Sequence, residues 1–354
     1  MTETMRAAVY HGRHDVRIEE VPVPRPAAGE VLLAVRRSGI CGSDATEWAA
    51  GPKQVPFTSP HPGSGHVGPM IIGHEFVGEV VSGGSGFAAG DLVAAGAGVS
   101  CGQCDRCGEG RTNLCRRYYT LGLNAPGGLA EYVAAPASML RPVPDGLSLD
   151  HAGLAQPLAV GLHAARRAGV RPGDSVVVIG AGAIGSFVLA GLRHLSDNEV
   201  TVLDFAGDKL DRATRLGAAH VVDAAGDVVA AVRERTGGRG ADVVIEASGA
   251  PGQFENAVRM VTDGGRVLAV GLPKQAPTVD LFSLVLREIT VESTVAHVCG
   301  EDVAPALEIL AEGVLGAELL DSVIGLDDLT EHGLARLAAG AVDGKVLIDP
   351  GRRS

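Results

Sequence analysis

The sequence has no excess of basic residues and no long run of charge of either sign. It contains 30 Lys and Arg against 42 Asp and Glu, a formal net charge of −12. Because a protein that binds nucleic acid needs a basic face for the phosphates, this composition disfavours a nucleic-acid partner. Charged residues make up 20% and hydrophobic residues 46% of the chain, a balance that excludes a disordered protein and is typical of a globular enzyme.

The sequence also shows no secretory signal and no continuous membrane-spanning segment. Its first residues lack an apolar core followed by a small-residue cleavage site, so we predict a cytoplasmic protein without a membrane partner. One uncharged stretch, Ser175 to Leu192, is 18 residues long, but four glycines interrupt it. A strand that runs into a glycine-rich turn explains this stretch better than a membrane helix.

The length and the pattern of apolar runs predict two domains. At about 150 residues per domain, 354 residues suffice for two. Up to about residue 150, short apolar runs broken by Gly and Pro indicate a mainly β domain. From about residue 154, apolar strands alternate with helical segments, which predicts right-handed crossovers and a doubly wound parallel sheet of the α/β class. After about residue 290 this alternation ends.

A glycine-rich motif follows the first predicted strand of the parallel sheet. GAGAIG comes directly after an apolar strand and precedes a helical run. In such a turn the first Gly makes the bend, the second admits the pyrophosphate, and the third lets helix and strand pack closely. The alternative is a set of glycines that only shapes a turn. The predicted cofactor contacts here are Gly180, Ala181, Gly182, Ala183, Ile184 and Gly185.

The second predicted strand ends in an acidic residue that favours NAD over NADP. Asp204 stands 24 residues after Gly180, near the spacing at which a carboxylate binds the ribose hydroxyls. It would repel the 2′-phosphate of NADP, and the adjacent Phe205 supplies no compensating cation. The alternative role of Asp204 is to cap the following helix. Further predicted cofactor contacts are Lys209, the nearby cation, and Val270, Gly271 and Leu272.

Four of the six cysteines lie in one short segment. Their spacing, Cys101-x2-Cys104-x2-Cys107-x7-Cys115, groups four thiols, whereas a disulfide framework would scatter them. Four thiolates suit a closed tetrahedral Zn²⁺ site with a structural role. Unmetallated packing residues and an iron–sulfur cluster are the alternatives, and polar neighbours such as GEGRTN argue against simple burial.

A second set of metal-binding residue types is dispersed along the chain. Cys41 lies in SGICGSD, and His74 and Glu75 lie in IIGHEFVGEVV. From this pattern alone, a buried Cys and an ordinary core His are the favoured interpretation. His61 and His66 lie among Gly and Pro and indicate a solvated loop rather than a metal site.

Several motifs, in order along nearly the whole chain, resemble the zinc-dependent medium-chain dehydrogenase/reductase superfamily. The resemblance is to its polyol, butanediol and threonine dehydrogenase branch. The motifs that carry it are GICGSD from residue 39, GHEFVGEVV from 73, GDLVA from 90, the four-cysteine segment, GGLAEYV from 127, PLAVGLHAARRAGVRPGDSVVVIGAGAIG from 157 and GKVLID near the end.

The resemblance implies a fold and a division into domains. A GroES-like, mainly β catalytic domain would occupy residues 1–155, with a structural zinc lobe over 98–118, and residues 292–354 would complete it. Residues 156–291 would form a Rossmann dinucleotide-binding domain. The resemblance further implies two zinc ions per chain, one catalytic and one structural, with NAD as cofactor and assembly into a homodimer or homotetramer.

The resemblance also implies that Cys41, His74 and Glu75 hold the catalytic zinc. Zn²⁺ would act as a Lewis acid on a secondary alcohol of a small polyol, diol, sugar or aminocyclitol, and hydride would pass to the nicotinamide. Ser43 matches the hydroxyl that relays the alcohol proton, with a turn cap as its alternative role. The alternative functions are an NADP-linked or metal-independent reductase of the same superfamily and a nucleotide-binding protein without activity.

Two residues depart from the pattern of the superfamily. Gln156 replaces a Glu that can approach the zinc, which keeps an oxygen ligand but removes a negative charge. Thr46 replaces a His that passes the proton onward to solvent, so a hydroxyl stands where relatives have a titrating ring. We interpret Gln156 as a change in the tuning of the site, not as a loss of activity.

A few residues are candidates for the substrate cleft. The aromatic residues and His297 have equally favoured alternatives, which are the domain core for the aromatic residues and a domain interface for His297. Cys299 is most simply a small buried hydrophobic residue. The predicted substrate contacts are Trp48, Phe57, Gln156 and His297.

Overall fold

The computed structural model describes residues 3–353, which form two units. The first unit comprises the chain up to Ala159 together with the chain from His297 onward, and the second comprises Val160–Ala296. The sequence places these boundaries a few residues earlier, at residues 155 and 291. Among residues 3–353, no helix combines the length and the apolar character that a membrane crossing requires.

Short strands dominate the chain up to Ala159, in keeping with its broken apolar pattern. The strands are β1 Thr4–Gly12, β2 Asp15–Pro22, β3 Glu30–Gly39, β4 Met70–Ile71, β5 Glu75–Val80, β6 Leu92–Ala95, β7 Gly98–Val99, β8 Tyr119–Thr120, β9 Tyr132–Pro136 and β10 Leu140–Pro142. The helices are α1 Gly42–Ala50, α2 Asp105–Gly108, α3 Leu149–Ala152 and α4 Ala155–Ala168, with 3₁₀ turns at Thr112–Leu114 and Ala137–Met139.

These strands pair antiparallel. β1 lies between β2 and β4, while β7 and β8 form a separate hairpin-like pair. In the largest sheet β3 pairs with both β5 and β9, and β5 is followed by β6 and β10. β3 is mostly buried because it is central and apolar, so its C-terminal end is held firmly where it leads into α1.

The second unit is an alternation of strands and helices. The strands are β11 Val176–Ile179, β12 Val200–Asp204, β13 His220–Asp223, β14 Ala241–Glu246, β15 Val261–Ala269 and β16 Thr290–Ser293. The helices are α5 Ala183–Leu195, α6 Asp208–Arg215, α7 Val228–Arg235, α8 Gln253–Met260 and α9 Leu281–Leu286. All the strand pairs are parallel, in the order β13-β12-β11-β14-β15-β16.

This strand order is that of a doubly wound dinucleotide-binding sheet, with the reversal of direction between β11 and β14. Alternate residues of β11 enter two separate hydrophobic cores. Val176 and Val178 belong to the core that includes Leu189 of α5, whereas Val177 and Ile179 belong to a core on other helices. Burial on both faces explains why the strands are continuous apolar runs. The predicted fold class is confirmed.

The C-terminal segment belongs to the first unit. Its elements are α10 Cys299–Ala311, α11 Val314–Leu319, β17 Leu320–Gly325, α12 Arg336–Ala338 and β18 Lys345–Asp349, with a 3₁₀ turn at Leu326–Asp328 and a π-helical turn at Leu329–Ala335. β18 is parallel to β17 and antiparallel to β3, with Leu347 opposite Gly39. The last strand of the chain therefore lies beside the strand that leads to Cys41.

Candidate active site

The three dispersed metal-binding residue types meet in the first unit. One ligand atom from each of Cys41, His74 and Glu75 lies within 4.8 Å of the other two. Cys41 immediately precedes α1, while His74 and Glu75 stand at the beginning of β5. The pairing of β3 with β5 places Gly39 opposite Glu75, which brings the two segments together. The fold thus assembles a set that the pattern alone does not favour.

A glycine fixes the approach to His74. Gly73 has φ +96°, a left-handed conformation that residues with a Cβ rarely adopt. A Cβ at this position would also come within 2.8 Å of the backbone nitrogen of Leu129. The glycine of the GHE motif is therefore needed for the turn that directs His74 toward Cys41.

Asp44 connects Cys41 with His74. Its carboxylate is fully buried, and Oδ2 accepts a hydrogen bond from the backbone N–H of Cys41 at 2.8 Å. Oδ1 lies 3.6 Å from Nδ1 of His74, while Nε2 of the same ring lies 3.4 Å from Oγ of Ser43. A carboxylate behind a metal-binding imidazole orients the ring and leaves its other nitrogen for the metal. Sequence reasoning missed Asp44, although it stands three residues after Cys41, at a helix-capping position.

Lys345, at the start of β18, faces Glu75. Its ammonium group donates hydrogen bonds to Oε1 of Glu75 at 2.7 Å and to the carbonyl oxygen of Ile40 at 2.9 Å. Both charged side chains are buried, at 6% and 1% exposure, so the pairing compensates two charges that would otherwise be costly. If Glu75 binds a metal ion, the same carboxylate also remains paired with Lys345. The GKVLID motif contains Lys345, but the sequence assigns it no role.

Electrostatics in the cluster favour the charged forms of Cys41 and His74. Burial opposes ionisation of Cys41, yet His74 and Lys345 hold the pKa of this thiol below its usual value. Burial also disfavours protonated His74, but Asp44 and Cys41 raise the pKa of His74 well above its usual value. A bound cation would take the place of the proton on His74, so metal binding and proton release are coupled.

The donor set of the cluster fits a catalytic zinc ion. A thiolate, an imidazole and a carboxylate are all zinc ligands, and three protein ligands are the number found where a fourth position serves a substrate or water. The single thiolate distinguishes this set from closed sites of four sulfurs. Gln156, buried in the first turn of α4, is a neutral oxygen donor in the same unit.

Thr46, the residue in place of a relay histidine, is bonded to its own helix. Its Oγ1 donates a hydrogen bond to the carbonyl oxygen of Gly42 at 2.7 Å, and the residue is exposed. The hydroxyl proton is therefore engaged with the backbone, and the oxygen remains only as an acceptor.

The aromatic candidates for the substrate cleft pack against the core of the first unit. Trp48 contacts His14 edge-on at 4.7 Å between ring centroids, and Phe57 contacts Tyr10 in the same way at 5.7 Å. These contacts agree with the alternative role of Trp48 and Phe57 as residues of the domain core.

His297 is the first residue of the segment that returns to the first unit. It is 1% exposed, and its Nε2 lies 3.6 Å from Sγ of Cys299. A Cβ at Gly96 would come within 2.9 Å of the same nitrogen, so the loop at Gly96 packs directly on the ring. Cys299 is buried and its thiol donates to the carbonyl oxygen of Gly98 at 3.4 Å.

The four-cysteine segment forms a second cluster. Ligand atoms of all four side chains lie within 4.8 Å of one another. Sγ of Cys104 is 3.5 Å from that of Cys107 and 3.9 Å from that of Cys115. Four sulfurs at these separations fit a closed tetrahedral zinc site, with no protein position left for a substrate.

Backbone N–H groups form hydrogen bonds with two of the thiols of this second cluster. Hydrogen bonds from the backbone of Arg116 and Cys107 lower the pKa of Cys104 to about 6. The backbone N–H groups of Cys101 and Arg117 point to Sγ of Cys115 at 3.2 and 3.3 Å, but burial raises the pKa of Cys115 to about 11. Local chain geometry, not charged side chains, therefore prepares this cluster.

The glycine-rich motif in the second unit forms a tight loop between β11 and α5. Gly180 has φ +99°, and its N–H bonds to the carbonyl oxygen of Leu203. Asp204, the last residue of β12, accepts a hydrogen bond from the N–H of Ala181 through Oδ2 at 2.7 Å. Its Oδ1 accepts from the N–H of Phe205 at 2.8 Å. Asp204 therefore holds the loop, which sequence reasoning missed.

The alternative role of Asp204 as a helix cap is wrong. The residue that precedes α6 is Gly207, three positions later, and its conformation ends the turn that follows β12. Asp204 points back to the glycine-rich loop because Ala181 offers the nearer N–H.

The remaining cofactor candidates follow the ends of neighbouring strands. The N–H groups of Val270 and Gly271 donate to the carbonyl oxygen of Glu246 at 2.8 and 2.9 Å, which ties the loop after β15 to the end of β14. Leu272 and Lys209 are exposed. Because β11, β12, β14 and β15 are parallel, all these residues lie at the C-terminal ends of the strands, where such folds bind their ligands.

Known families match most of the chain. Residues 27–145 match the alcohol dehydrogenase GroES-like domain, and residues 183–312 match the zinc-binding dehydrogenase family. The (R,R)-butanediol dehydrogenase of Bacillus subtilis strain 168 is 34% identical over 355 residues, which cover 98% of this chain and all of that protein. The sorbitol dehydrogenase of the same organism is 34% identical over 77% of this chain and 76% of its own length.

Solved structures match along the whole chain as well. The crystal structure of 2R,3R-butanediol dehydrogenase from Bacillus subtilis has a TM-score of 0.88 at 32% identity and covers 98% of this chain and 100% of that one. A zinc-binding dehydrogenase from Sinorhizobium meliloti 1021, bound to NADP, has a TM-score of 0.86 at 28% identity and covers 99% and 100% of the two chains.

Proposed function

Because the chain belongs to the zinc-dependent medium-chain dehydrogenase/reductase superfamily, we propose that it is an NAD-preferring dehydrogenase of secondary alcohols. Its relatives are oxidoreductases that act on CH–OH groups, and so is this chain. We propose a small polyol, vicinal diol, sugar or aminocyclitol as substrate. The observation that carries the proposal is the convergence of Cys41, His74 and Glu75 within 4.8 Å.

The residues of this cluster have distinct roles in the proposed reaction. A zinc ion held by Cys41, His74 and Glu75 would supply Lewis acidity to the alcohol oxygen of the substrate. Ser43 would relay the hydroxyl proton, taking it from the alcohol while its own hydroxyl proton passes to water, a role supported by its position 3.4 Å from His74. Asp44 keeps the imidazole oriented. A bound nicotinamide would supply the acceptor for the hydride of the carbinol carbon.

Asp204 supports NAD as the cofactor. The Sinorhizobium structure is bound to NADP and another solved structure of this fold is complexed with NADH, so the choice of dinucleotide depends on local residues. A carboxylate at the end of β12 binds ribose hydroxyls and repels a 2′-phosphate. Phe205 is 67% exposed and brings no cation, which leaves Lys209 as the residue that NADP would require.

The four-cysteine cluster supports a second, structural zinc ion, so that each chain would hold two. Its four thiols are free of disulfides, and they need a reducing compartment to remain so, which supports the cytoplasm as the place of action. Because the cluster offers four sulfurs, its metal would have no open position. Its role would be to hold the lobe at residues 98–118.

We further propose a homodimer formed through β16. This strand pairs only with β15 among the described strands, so its outer edge is open to another strand. Large apolar side chains are exposed next to it: Val279, Leu281, Phe282, Val285, Leu286, Val291 and Val295. A second copy can offer the same edge and the same apolar surface about a twofold axis. Light scattering should give a molar mass of twice that of one chain. The Phe282→Asp variant should have a molar mass closer to that of a single chain.

The proposed function is tested by NAD⁺ reduction across a panel of polyols, diols, sugars and cyclitols, with zinc content measured on the same preparation. We expect two zinc ions per chain, turnover with at least one polyhydroxylated substrate, and loss of turnover in a chelator that zinc restores. Activity only with NADP⁺, or turnover without zinc, would identify the reductase alternatives. No turnover with any member would favour the non-catalytic homologue.

A further inference from the structure

A buried arginine outside the predicted cofactor set contacts the glycine-rich loop. Arg212 of α6 is 3% exposed, and its Nη2 donates a hydrogen bond to the carbonyl oxygen of Ala181 at 2.9 Å. We propose that Arg212 is a positioning residue for the dinucleotide, which holds the Ala181 carbonyl so that the N–H of Gly182 faces the pyrophosphate. This inference rests on the proposed function, because it requires a dinucleotide on this loop.

The loop is held at Ala181 from both directions. Asp204 accepts the N–H of Ala181 at 2.7 Å, and Arg212 donates to its carbonyl oxygen, to which Oγ of Ser186 also donates at 3.3 Å. The N–H and the C=O of one residue belong to successive peptide groups. The carboxylate and the guanidinium therefore fix the orientation of two adjacent peptide planes of the turn.

Peptide geometry carries this orientation to the cofactor side. The C=O of Ala181 and the N–H of Gly182 belong to one trans peptide, so they point in opposite directions. With the carbonyl turned to Arg212, the N–H is turned away from it. Gly182 directly precedes α5, a helix of 13 residues, whose free N–H groups and dipole favour a phosphate. A charged donor on the carbonyl also polarises this peptide and strengthens its N–H as a donor.

Packing does not account for an arginine at this position. Leu210 and Ala213, its neighbours in α6, are buried apolar residues, and an apolar side chain at position 212 would continue that surface. Burial of a guanidinium is costly unless the charge makes strong hydrogen bonds. Arg215, one turn later on the same helix, is exposed. The loop contact is thus one of the interactions that offset the burial of this charge, and a buried charge is not a general feature of the helix.

The test compares Arg212→Met, Arg212→Gln and Arg212→Lys with Arg215→Met, which removes the same charge from the exposed face of α6. The readouts are the Kd for NADH by fluorescence, inhibition by ADP-ribose, the KM for NAD⁺ with kcat, and the melting temperature. ADP-ribose carries the pyrophosphate without the nicotinamide, so its binding isolates the loop from the zinc site.

For Arg212→Met we expect NADH and ADP-ribose to bind about tenfold more weakly, because a charge-assisted hydrogen bond is lost. The KM for NAD⁺ should rise in parallel while kcat at saturation changes less than about twofold. Arg212→Lys should recover most of the affinity, Arg212→Gln less, and Arg215→Met should match the unaltered enzyme.

Unchanged binding of NADH and ADP-ribose by Arg212→Met would overturn the inference, as would an equal loss in Arg215→Met. If the Met variant does not fold, equal affinities of the Lys and Gln variants and the unaltered enzyme would overturn it. Failure of the unaltered enzyme to bind either ligand would instead remove the proposed function. The two failures are therefore distinguished by the unaltered enzyme alone.

Discussion

The two candidate metal-binding clusters of the first unit are built in different ways. The four thiols of the cysteine lobe come from one short segment, and backbone hydrogen bonds lower the pKa of Cys104 among them. Cys41 comes from one segment and His74 and Glu75 from another, and charged side chains hold them, one of which, Lys345, stands 270 residues from Glu75. A structural metal site can be encoded locally, whereas this candidate catalytic site exists only once β3, β5 and β18 are paired.

The difference predicts opposite consequences when each cluster is damaged. A cluster embedded in charged, buried partners is tuned for chemistry, so its loss should affect turnover most. A cluster made by a local loop supports that loop, so its loss should affect stability most. Each variant below breaks or sharpens this contrast.

Cys41→Ser should have the largest effect. We expect kcat to fall about 10³-fold or more, because the catalytic zinc ion loses its thiolate ligand and is no longer held at the site. Zinc content should fall from two ions per chain to one, with NADH binding retained. Steady-state kinetics, elemental analysis and NADH fluorescence provide the measurements. Full activity with one zinc per chain would assign the chemistry to another site.

Lys345→Met should follow, as a loss of stability. It leaves the carboxylate of Glu75 buried without its cation, which costs about 3–5 kcal/mol. Urea unfolding of the metal-free protein measures this cost. The loss should be smaller with zinc bound, since the metal would compensate the same charge.

The matched control for Lys345→Met is its combination with Glu75→Gln, which removes both charges. The double variant should recover part of the lost stability, because no buried charge remains unpaired. If both proteins are as stable as the unaltered chain, the ion pair at 2.6–2.7 Å does not have the assigned role.

Cys104→Ser should reverse the pattern of Cys41→Ser. We expect loss of the other zinc ion and a loss of about 2 kcal/mol or more, which corresponds to a melting temperature several degrees lower. The kcat of the remaining folded enzyme should change less than about threefold. Calorimetry and kinetics on one preparation suffice, and a turnover loss as great as that of Cys41→Ser would erase the distinction between the clusters.

Asp204→Ala should affect only the second unit. The variant loses the ribose ligand, the repulsion of a 2′-phosphate and the hydrogen bond to Ala181. We expect the preference for NAD⁺ over NADP⁺, as the ratio of kcat/KM values, to fall about tenfold. Zinc content should remain at two. An unaltered ratio would show that the carboxylate acts on the loop and does not select the cofactor.

Gln156→Glu should have the smallest effect. A carboxylate at this position, which the resemblance to the family assigns to the catalytic site, should slow the loss of zinc to a chelator. It should also move the pH profile of alcohol oxidation upward, because it disfavours a second negative charge. The rate of zinc loss and the apparent acid dissociation constant of the pH profile should each change about threefold. Identical chelation kinetics and an identical pH profile would exclude Gln156 from the site.

What the sequence predicts depends on how local the feature is. The parallel strands, the turn at Gly180–Gly185 and the four-cysteine cluster follow from adjacent residues, and the structure contains all of them. The set of Cys41, His74 and Glu75 is favoured only through the resemblance to a family, because its spacing has no period. Asp44, Lys345 and Arg212 were missed, since each acts through a contact that only the folded chain creates.

One alternative is wrong and three predictions remain open for the same reason. The cap of α6 is Gly207 rather than Asp204, because the Asp204 side chain accepts a hydrogen bond from the N–H of Ala181 in the glycine-rich loop. The roles of Trp48, Phe57 and His297 toward a substrate stay predictions, as their contacts in the structure are with core residues. Such choices are made by packing, which composition and periodicity do not encode.

Diffraction at the zinc absorption edge from crystals of the purified enzyme tests the central claim most directly. The account predicts two anomalous peaks per chain, one among the four cysteines and one bounded by Cys41, His74 and Glu75. A single peak among the cysteines, from an enzyme that turns over an alcohol with NAD⁺, would contradict it.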